Sequence, residues 1–397
     1  MGEPILYLTH RVPFPPDKGD RIRNWNILRF LAERFPVWLG CLSDEPLPAE
    51  HEQVLRKTTQ QMGIVPIGRE RWVRGLGHML RGRSISEGMF WSPRLANLLA
   101  EWGKSVRFRT AIISASSLVP YLKHPILSHT TKIVDLVDVD SQKWFDYAAK
   151  ARFPRSVVYR LEGQRVRKLE QGLPTWVDGV LLVSDAEAEL YRSFASSGHV
   201  RVVTNGVDLE YFRPLEVDLE PVCTFVGALD YPPNVDAAEW FATEVWPAVR
   251  TTRPDLRFRL VGRNPSSRVL ALKSIAGIEV VASVPDVRPW LARSTVVVVP
   301  LRIARGLQNK VLEALAMAKA CVVSPKALAG VKARPGSELL AAETPEEWVA
   351  AILRLFHDSS LRRTLGEAGR QYVETHHSWA ACLNPLAEWL ATFPSSR

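Results

Sequence analysis

The sequence lacks the features that mark secreted, metal-binding and membrane-spanning proteins. Its four cysteines are far apart and form no CxxC pair, which favours reduced core thiols over a disulfide framework or a metal site. No apolar run approaches the roughly 18–20 residues that a membrane-spanning helix needs. The strand-like run Ile5-Leu-Tyr-Leu-Thr9 stands almost at the N-terminus, so we expect no signal peptide. These observations predict a cytoplasmic protein.

Internal repeats and low-complexity segments are also lacking. Of the 397 residues, 46% are hydrophobic and 23% are charged, as is usual for a globular protein. The length suits two domains of roughly 150–200 residues each.

Positive charge is concentrated in the first half of the chain. Residues 1–205 hold 29 Lys and Arg against 21 Asp and Glu, whereas residues 206–397 hold 22 against 21. The first half is therefore expected to meet an acidic partner. Its densest basic segment interleaves arginines with apolar side chains: Arg69, Arg71, Arg74, Arg81 and Arg83 with Trp72, Leu76, Met79 and Leu80. Such a segment is typical of contact with an anionic membrane surface or of an ordinary solvated helix, and no nucleic-acid-binding motif accompanies it.

Strand-like and helix-like segments alternate along the first half, which predicts a doubly wound parallel sheet. The expected strands are 5–10, 37–42, 110–114, 132–137, 179–183 and 200–204, and the expected helices are 21–34, 92–103, 155–172 and 185–194. The region 44–90 is less regular and is expected to carry an insertion that shapes a pocket.

A second alternation follows a Gly- and Pro-containing linker at 206–221. Its expected strands are 222–226, 257–262, 278–281, 295–299, 320–323 and 338–341, and its expected helices are 235–250, 266–273, 286–293, 309–318, 345–357 and 359–375. The predicted fold class is therefore α/β, with two doubly wound Rossmann-like domains, 1–205 and 222–376. Two such domains are expected to face a cleft at the carboxyl ends of their strands.

The segment from Pro300 to Ser324 is the most informative part of the chain. A basic loop that contains Gly306 joins an apolar strand to a helix that begins near Asn309. A loop that leads into a helix N-terminus suits phosphate because the first backbone N–H groups have no partner within the helix. One acid, Glu313, lies one turn inside the helix, where a carboxylate can accept hydrogen bonds from ribose hydroxyls. The pattern indicates a nucleotide site, although an amphipathic helix with one solvated Glu would look the same.

This segment resembles the donor-nucleotide segment of the retaining GT-B glycosyltransferases of family four, whose usual ending Glu-Ala-Met-Ala-x-Gly-x-Pro-Val-Val matches Glu313-Ala-Leu-Ala-Met-Ala-Lys-Ala-Cys-Val-Val323. Three other segments resemble that family: Pro13-Phe-Pro-Pro-Asp-Lys-Gly-Asp-Arg-Ile-Arg23, Thr204-Asn-Gly-Val-Asp-Leu-Glu-Tyr-Phe-Arg-Pro214 and Phe225-Val-Gly-Ala-Leu-Asp230. Residues 135–144 and 304–310 are most similar to the sugar transferases associated with the exosortase and PEP-CTERM system of Gram-negative exopolysaccharide clusters.

The resemblance implies a retaining transfer of sugar from a UDP- or GDP-sugar, without a metal and without a cofactor beyond that substrate. It implies a lipid-linked saccharide acceptor at the inner membrane surface, which would make the protein peripheral on that membrane. It also implies that the C-terminal helix, 377–397, crosses back to the first domain. The implied donor-binding residues are Gly19, Arg21, Arg23, Gly227, Arg263, Gly306, Leu307, Gln308, Asn309 and Glu313, and the implied catalytic residues are Asp138, Asp140, Arg305 and Lys310.

The predicted roles of these residues follow from charge and position. Lys310 and Arg305 would neutralise the leaving diphosphate. Asp138 and Asp140 follow a strand, and one of them is expected to face the cleft, unless they cap a helix or lie in solvent. A pair of Asp residues one apart binds a metal in another glycosyltransferase fold, but the predicted domain order is that of GT-B.

Two departures from the family pattern bear on the function. Arg305 stands where the family has its first Glu, and the family's Arg and Lys after the first strand of the second domain are absent. Arg305, Lys310 and the backbone N–H groups of Leu307 to Asn309 are expected to stabilise the diphosphate instead, with Arg263 and Asn234 as weaker candidates. The departures leave open a non-catalytic nucleotide-binding partner of a polysaccharide synthase complex and a GT-B sugar-nucleotide epimerase. A basic nucleic-acid binder is a third alternative.

Overall fold

Two units make up the protein in the computed structural model, which describes residues 3–17, 19–196, 199–304 and 306–392. The first unit runs to Thr204 and also takes in the described residues from Leu383 onward, while the second runs from Asn205 to Cys382. Each unit has one parallel sheet with helices in the connections. The predicted α/β class with two doubly wound sheets is confirmed.

The sheet of the first unit has the strand order β3-β2-β1-β4-β5-β6-β7. Its strands are β1 (Ile5–Thr9), β2 (Val37–Ser43), β3 (Gln61–Pro66), β4 (Thr110–Ser114), β5 (Thr131–Val137), β6 (Gly179–Leu182) and β7 (Val200–Val202). Central strands such as β1 and β4 are buried along their whole length because helices cover both faces of the sheet. This explains why they read as continuous apolar runs in the sequence.

The helices of the first unit include several in the region that the sequence left unassigned. They are α1 (Gly19–Ala32), α2 (Ala49–Thr58), α3 (Glu70–Leu80), α4 (Ile85–Phe90), α5 (Pro93–Gly103), α6 (Asp140–Lys150), α7 (Arg155–Gly172) and α8 (Asp185–Arg192). The irregular region 44–90 thus holds α2, β3, α3 and α4. Strand β3 lies at the edge of the sheet, where Gly63 and Pro66 are tolerated, and those residues hid it in the sequence.

The second unit repeats the arrangement with the strand order β10-β9-β8-β11-β12-β13. Its strands are β8 (Glu220–Val226), β9 (Arg257–Gly262), β10 (Ile278–Ala282), β11 (Ser294–Val299), β12 (Cys321–Val323) and β13 (Leu340–Ala341). Its helices are α9 (Pro232–Trp240), α10 (Trp246–Thr252), α11 (Ser267–Ala271), α12 (Arg288–Arg293), α13 (Asn309–Ala316), α14 (Pro325–Leu328), α15 (Pro345–His357) and α16 (Ser359–His376). All paired strands are parallel, so their carboxyl ends share one edge of the sheet.

The last helix, α17 (Trp379–Thr392), packs its C-terminal half on the first unit. A Cβ atom built on Gly179 would lie 1.7 Å from the Trp389 ring, so this glycine makes room for the tryptophan. The Arg109 side chain donates a hydrogen bond to the carbonyl of Leu390 at 3.1 Å. No helix among the residues described is both long and apolar enough to cross a membrane.

A buried ion pair joins three elements in the core of the first unit. The guanidinium of Arg23, on α1, donates two hydrogen bonds to the carboxylate of Asp135, on β5, at 2.7 and 2.9 Å. A third bond, of 2.8 Å, runs from Arg23 to the carbonyl of Val203, just after β7. Both charged side chains are buried away from water, so each charge is stabilised mainly by the other.

Replacing Arg23 with Met should destabilise the first unit by about 3–5 kcal/mol, because the Asp135 carboxylate would be left buried without its counter-charge. Urea unfolding monitored by circular dichroism measures this loss. Arg29→Met is the matched control, since Arg29 lies on the same helix with an exposed side chain. Equal effects of the two substitutions would contradict a structural role for the pair.

Candidate functional site

Three neighbouring strands of the second unit end beside one another. Strand β8 lies between β9 and β11, and all three run parallel. The loops that follow them begin at Gly227, Arg263 and Pro300. In open α/β sheets this edge is where ligands bind.

Glycines allow these loops to pack backbone against backbone. A Cβ atom on Gly262 would lie 1.7 Å from the carbonyl oxygen of Gly227, so no side chain fits there. Gly306 has φ +59°, a conformation that favours glycine. A Cβ atom on Gly330 would lie 2.3 Å from the carbonyl oxygen of Gly306. The loop before α13 is therefore held close to its neighbours by contacts that only glycine permits.

Helix α13 begins where that loop ends. Among the described residues, no side chain caps its first turn, which begins after Gln308. The amide of Asn205, the first residue of the second unit, lies 3.4 Å from the side-chain oxygen of Asn309. The first-turn N–H groups keep the anion-binding capacity of a helix N-terminus.

Lys310 is fixed in place by its neighbours. Its ammonium donates a hydrogen bond to the side-chain oxygen of Asn234, on α9, at 2.6 Å. Asn234 is itself oriented by a 2.8 Å bond from its amide nitrogen to the carbonyl of Ala228. The ammonium also lies 4.8 Å from the ring centroid of Phe225. A Cβ atom on Gly227 would lie only 3.2 Å from the Lys310 nitrogen, so the glycine leaves the ammonium its position.

Burial shifts the pKa of both charged groups on the first turns of α13. It lowers the pKa of Lys310 to about 8, against the opposing effect of the Glu313 carboxylate. It raises the pKa of Glu313 to about 7, against the opposing effect of the Lys310 ammonium. The lysine is therefore partly neutral near pH 8 until a further negative charge approaches it. Shifts of this kind are concentrated at functional sites.

In the first unit, Gly19 is the first residue of α1, and the space beside it is open. Arg21 and Arg23, predicted as phosphate clamps, hold carboxylates of their own unit. The Arg21 guanidinium lies within 3.2 Å of Asp17 and Glu45, and Arg23 is buried against Asp135. The prediction for Arg23 is corrected, because reaching a ligand would strand Asp135 in the core.

The loop that holds Asp138 and Asp140 follows β5 and is strained. Val137, at the end of β5, has φ +66°, and Ala115, after the neighbouring strand β4, has φ +85°. A β-branched residue with positive φ is a marked outlier, and such strain is often found at functional sites. Asp140 accepts a 2.6 Å hydrogen bond from the hydroxyl of Ser116, which ties the two loops together.

Further contacts hold the start of α6. The ammonium of Lys143 lies 3.2 Å from Asp140, which raises the pKa of the lysine. The backbone and hydroxyl of Ser141 both donate to Glu170, a buried carboxylate on α7. Burial raises the pKa of Glu170 to about 7. Asp140 is the first residue of α6, but its side chain contacts Ser116 and Lys143 and does not cap the helix. Nothing in the sequence pattern pointed to Ser116 or Glu170.

The remaining predicted residues fall as follows. Arg263 directly follows β9, Leu307 is buried, and Gln308 immediately precedes α13. Arg305 lies outside the described residues. No group of three or more His, Cys, Asp or Glu that could hold a metal ion occurs in the part of the chain that the structure describes. The sequence also showed no sign of a contact made by His10, which directly follows β1. Its ring nitrogen lies 3.3 Å from the carboxylate of Asp20, on α1.

Residues 220–358, most of the second unit, match the model of a protein family described as Glycosyl transferases group 1. No curated protein matches the chain in sequence. The family match includes the cluster formed by Gly227, Asn234, Lys310 and Glu313.

Several solved structures with the GT-B fold match nearly the whole length of the chain. Sucrose-phosphate synthase from Thermosynechococcus elongatus superposes with a TM-score of 0.71 at 16% identity, covering 98% of each chain. Anabaena HepE in complex with UDP-glucose gives 0.69 at 13% identity, covering 98% of this chain and 99% of the other. A mutant of S. aureus TarM with fondaparinux, alpha-GlcNAc-glycerol and UDP gives 0.67 at 10%, covering 99% and 100%. These similarities show the GT-B fold of the two sheets.

Replacing Glu313 with Gln should lower the pKa of Lys310 further below 8, because the carboxylate is the group that raises it. The rate at which an amine-selective acylating reagent modifies Lys310, followed by mass spectrometry against pH, measures that pKa. Glu346→Gln, which removes an exposed carboxylate on α15, is the control. An unchanged titration in Glu313→Gln would show that the two groups are not coupled.

Proposed function

We propose that the protein transfers a sugar from a UDP- or GDP-sugar to a saccharide acceptor. The observation that carries this proposal is the desolvated Lys310 ammonium, held by Asn234 against Gly227 at the N-terminus of α13. A diphosphate supplies the negative charge that such a group lacks. The family match over residues 220–358 and the HepE structures in complex with UDP or UDP-glucose support the choice of ligand.

The proposed donor pose follows from the geometry of the second unit. The diphosphate would lie over the loop 306–308 and the first amides of α13, with Lys310 beside it. Glu313 lies one turn further along the helix and would accept hydrogen bonds from the ribose hydroxyls. Arg263, which follows the neighbouring strand β9, would supply a second positive charge near Gly227.

Stabilisation of the leaving diphosphate would be the main catalytic contribution of these residues. Negative charge builds up on the leaving oxygen as the sugar bond breaks, and a positioned cation in a poorly solvated pocket stabilises that charge strongly. Retention of the anomeric configuration is part of the proposal and rests on the sequence resemblance of 300–324.

The acceptor would be bound by the first unit. The strained loops that begin at Ala115 and Val137 place Ser116 and Asp140 in contact, and such strained loops are typical of binding sites. We propose a lipid-linked saccharide of exopolysaccharide assembly, because residues 135–144 resemble that class of transferase and because residues 1–205 carry nearly all of the net positive charge of the chain.

Lys310→Ala and Glu313→Ala should each abolish measurable transfer in a panel of UDP- and GDP-sugars. Loss of one positioned charge costs about 3–4 kcal/mol of transition-state stabilisation in other enzymes, or roughly 10²–10³-fold in rate. Release of free nucleotide that depends on added acceptor measures transfer. Lys326→Ala, which removes an exposed lysine on α14, should transfer at the wild-type rate.

Two other outcomes would favour other functions. Nucleotide binding without release or transfer, in the presence of every acceptor tried, would indicate a non-catalytic partner of a synthase. Interconversion of sugar nucleotides without an acceptor would indicate an epimerase.

Thermal-shift measurements identify the sugar nucleotide that binds. The affinity of the protein for that ligand should fall as pH rises above about 8. A bound diphosphate raises the pKa of Lys310, so binding takes up a proton in the range between the free and bound pKa values. Affinity should decrease up to tenfold per pH unit in that range, which calorimetry can measure. Lys310→Arg should bind with little pH dependence in the same range, because arginine stays charged. If the affinity of wild type did not change with pH in this range, the diphosphate would bind away from Lys310.

A further inference from the structure

Helix α3 leaves a stripe of large apolar side chains in solvent. Trp72, Leu76 and Leu80 are spaced four residues apart and lie on one side of the helix, with exposed fractions of 60%, 52% and 78%. The helix packs on α4 through a different side, at Gly75, where a Cβ atom would lie 2.9 Å from Met89. The exposed stripe is therefore not needed for the packing of α3 on α4.

The hairpin of α6 and α7 exposes a second apolar group at its tip. Phe153, in the turn between the helices, is 83% exposed. Val157, Val158 and Leu161 follow on the first turns of α7 and are also exposed. Ordinary folding gives no reason to place a phenylalanine at the end of a hairpin in water.

A buried carboxylate holds the two helix pairs together. Glu162, on α7, accepts hydrogen bonds from the backbone N–H groups of Ile85 and Ser86 and from the hydroxyl of Ser84, at 2.7–2.9 Å. The start of α4 is thereby fixed on α7, beside the exposed Leu161. Because α3 packs on α4, this contact connects the α3–α4 pair to the α6–α7 hairpin.

The surface around these apolar side chains is basic. We define the basic-apolar face by Trp72, Leu76, Leu80, Phe153, Val157 and Leu161 with the exposed cations Arg69, Arg81, Arg83, Lys150, Arg152, Arg155 and Arg160. Within 69–83 and 150–161 the only acid in the sequence is Glu70.

We propose that the basic-apolar face binds the surface of an anionic lipid bilayer. Aromatic and aliphatic side chains flanked by Lys and Arg are suited to the headgroup region, where the apolar groups insert and the cations meet lipid phosphates. A second copy of the chain is a poorer partner because two such faces would bring like charges together. Nucleic acid would match the charge but not the exposed Trp, Phe and Leu side chains.

The position of the face explains its use. Helix α6 runs from Asp140 to Lys150, so the exposed tip lies one helix length, about 16 Å, from the strained Asp138–Asp140 loop. A lipid-anchored saccharide could then reach that loop while its lipid remains in the bilayer. This purpose rests on the proposed function, whereas binding to the bilayer itself does not.

The test is sedimentation of the full-length protein with vesicles of phosphatidylglycerol and phosphatidylcholine, compared with phosphatidylcholine alone. Wild type should bind only the anionic vesicles. Two double variants, Trp72→Glu with Leu80→Glu and Phe153→Glu with Val157→Glu, should each weaken binding at least about tenfold, because each removes inserted groups and adds repelled charge. Leu215→Glu with Leu270→Glu, exposed apolar residues of the second unit, should bind as wild type does.

The proposal would be overturned if wild type did not bind anionic vesicles, or if the control variant weakened binding as much as the face variants do. It would also be overturned if wild type bound no vesicles but formed a dimer in light scattering that the face variants dissociate. Thermal stabilisation by sugar nucleotides is measured on the same variants and should not change. Variants that lose vesicle binding but keep nucleotide binding would separate this inference from the proposed function. Vesicle binding by wild type without thermal stabilisation by any sugar nucleotide would count against the proposed function alone.

Discussion

The cost of desolvating one ammonium group governs the site of the second unit. Lys310 is held between a glycine and an aromatic ring, with the side-chain oxygen of Asn234 as a hydrogen-bond acceptor. Burial lowers the pKa of a lysine in such a place, so a larger fraction of it is uncharged. The Glu313 carboxylate opposes this shift only in part, because burial raises the pKa of that carboxyl as well. The arrangement is poor for stability and good for binding an anion. The close-packed glycines at 227, 262 and 306 make sense as the means of building it.

In the first unit, the buried Arg23–Asp135 ion pair supports the strained backbone that follows it at Val137. The Arg23–Asp135 pair fixes β5 against α1, and the chain beyond Asp135 then turns through the unfavourable φ of Val137. Strain of about 1–3 kcal/mol at such a residue persists only where the surroundings hold it. The pair, the Ser116–Asp140 bond and the Ser141–Glu170 bonds supply that support. These contacts hold both ends of the Asp138–Asp140 loop.

The sequence predicted the sheets better than the roles of individual side chains. Apolar runs buried on both faces, such as β1 and β11, are recognisable without neighbours, whereas the edge strand β3 contains Gly63 and Pro66 and was missed. Lys310 and Glu313 could be selected because a loop–helix junction has a local signature. Arg21 and Arg23 share a similar position after a glycine loop. Arg21 has one carboxylate partner nearby, Asp17, but its second partner and the partner of Arg23 lie 24 and 112 residues away in the sequence. Pairings at that separation leave no local pattern, and neither does the positive φ of Val137.

Net charge gives little information about the nucleotide site and much about the surface. The second half of the chain is nearly neutral, so the proposed donor site would rely on the desolvated Lys310, on Arg263 and on a helix N-terminus instead of a general positive field. The excess charge of the first half includes the exposed cations of the basic-apolar face. Mobile ions screen exposed charges over about 8 Å at physiological ionic strength but act weakly on a buried group. Added salt should therefore weaken contacts of the basic-apolar face far more than contacts at Lys310, so the two kinds of binding differ physically even though both ligands carry phosphate.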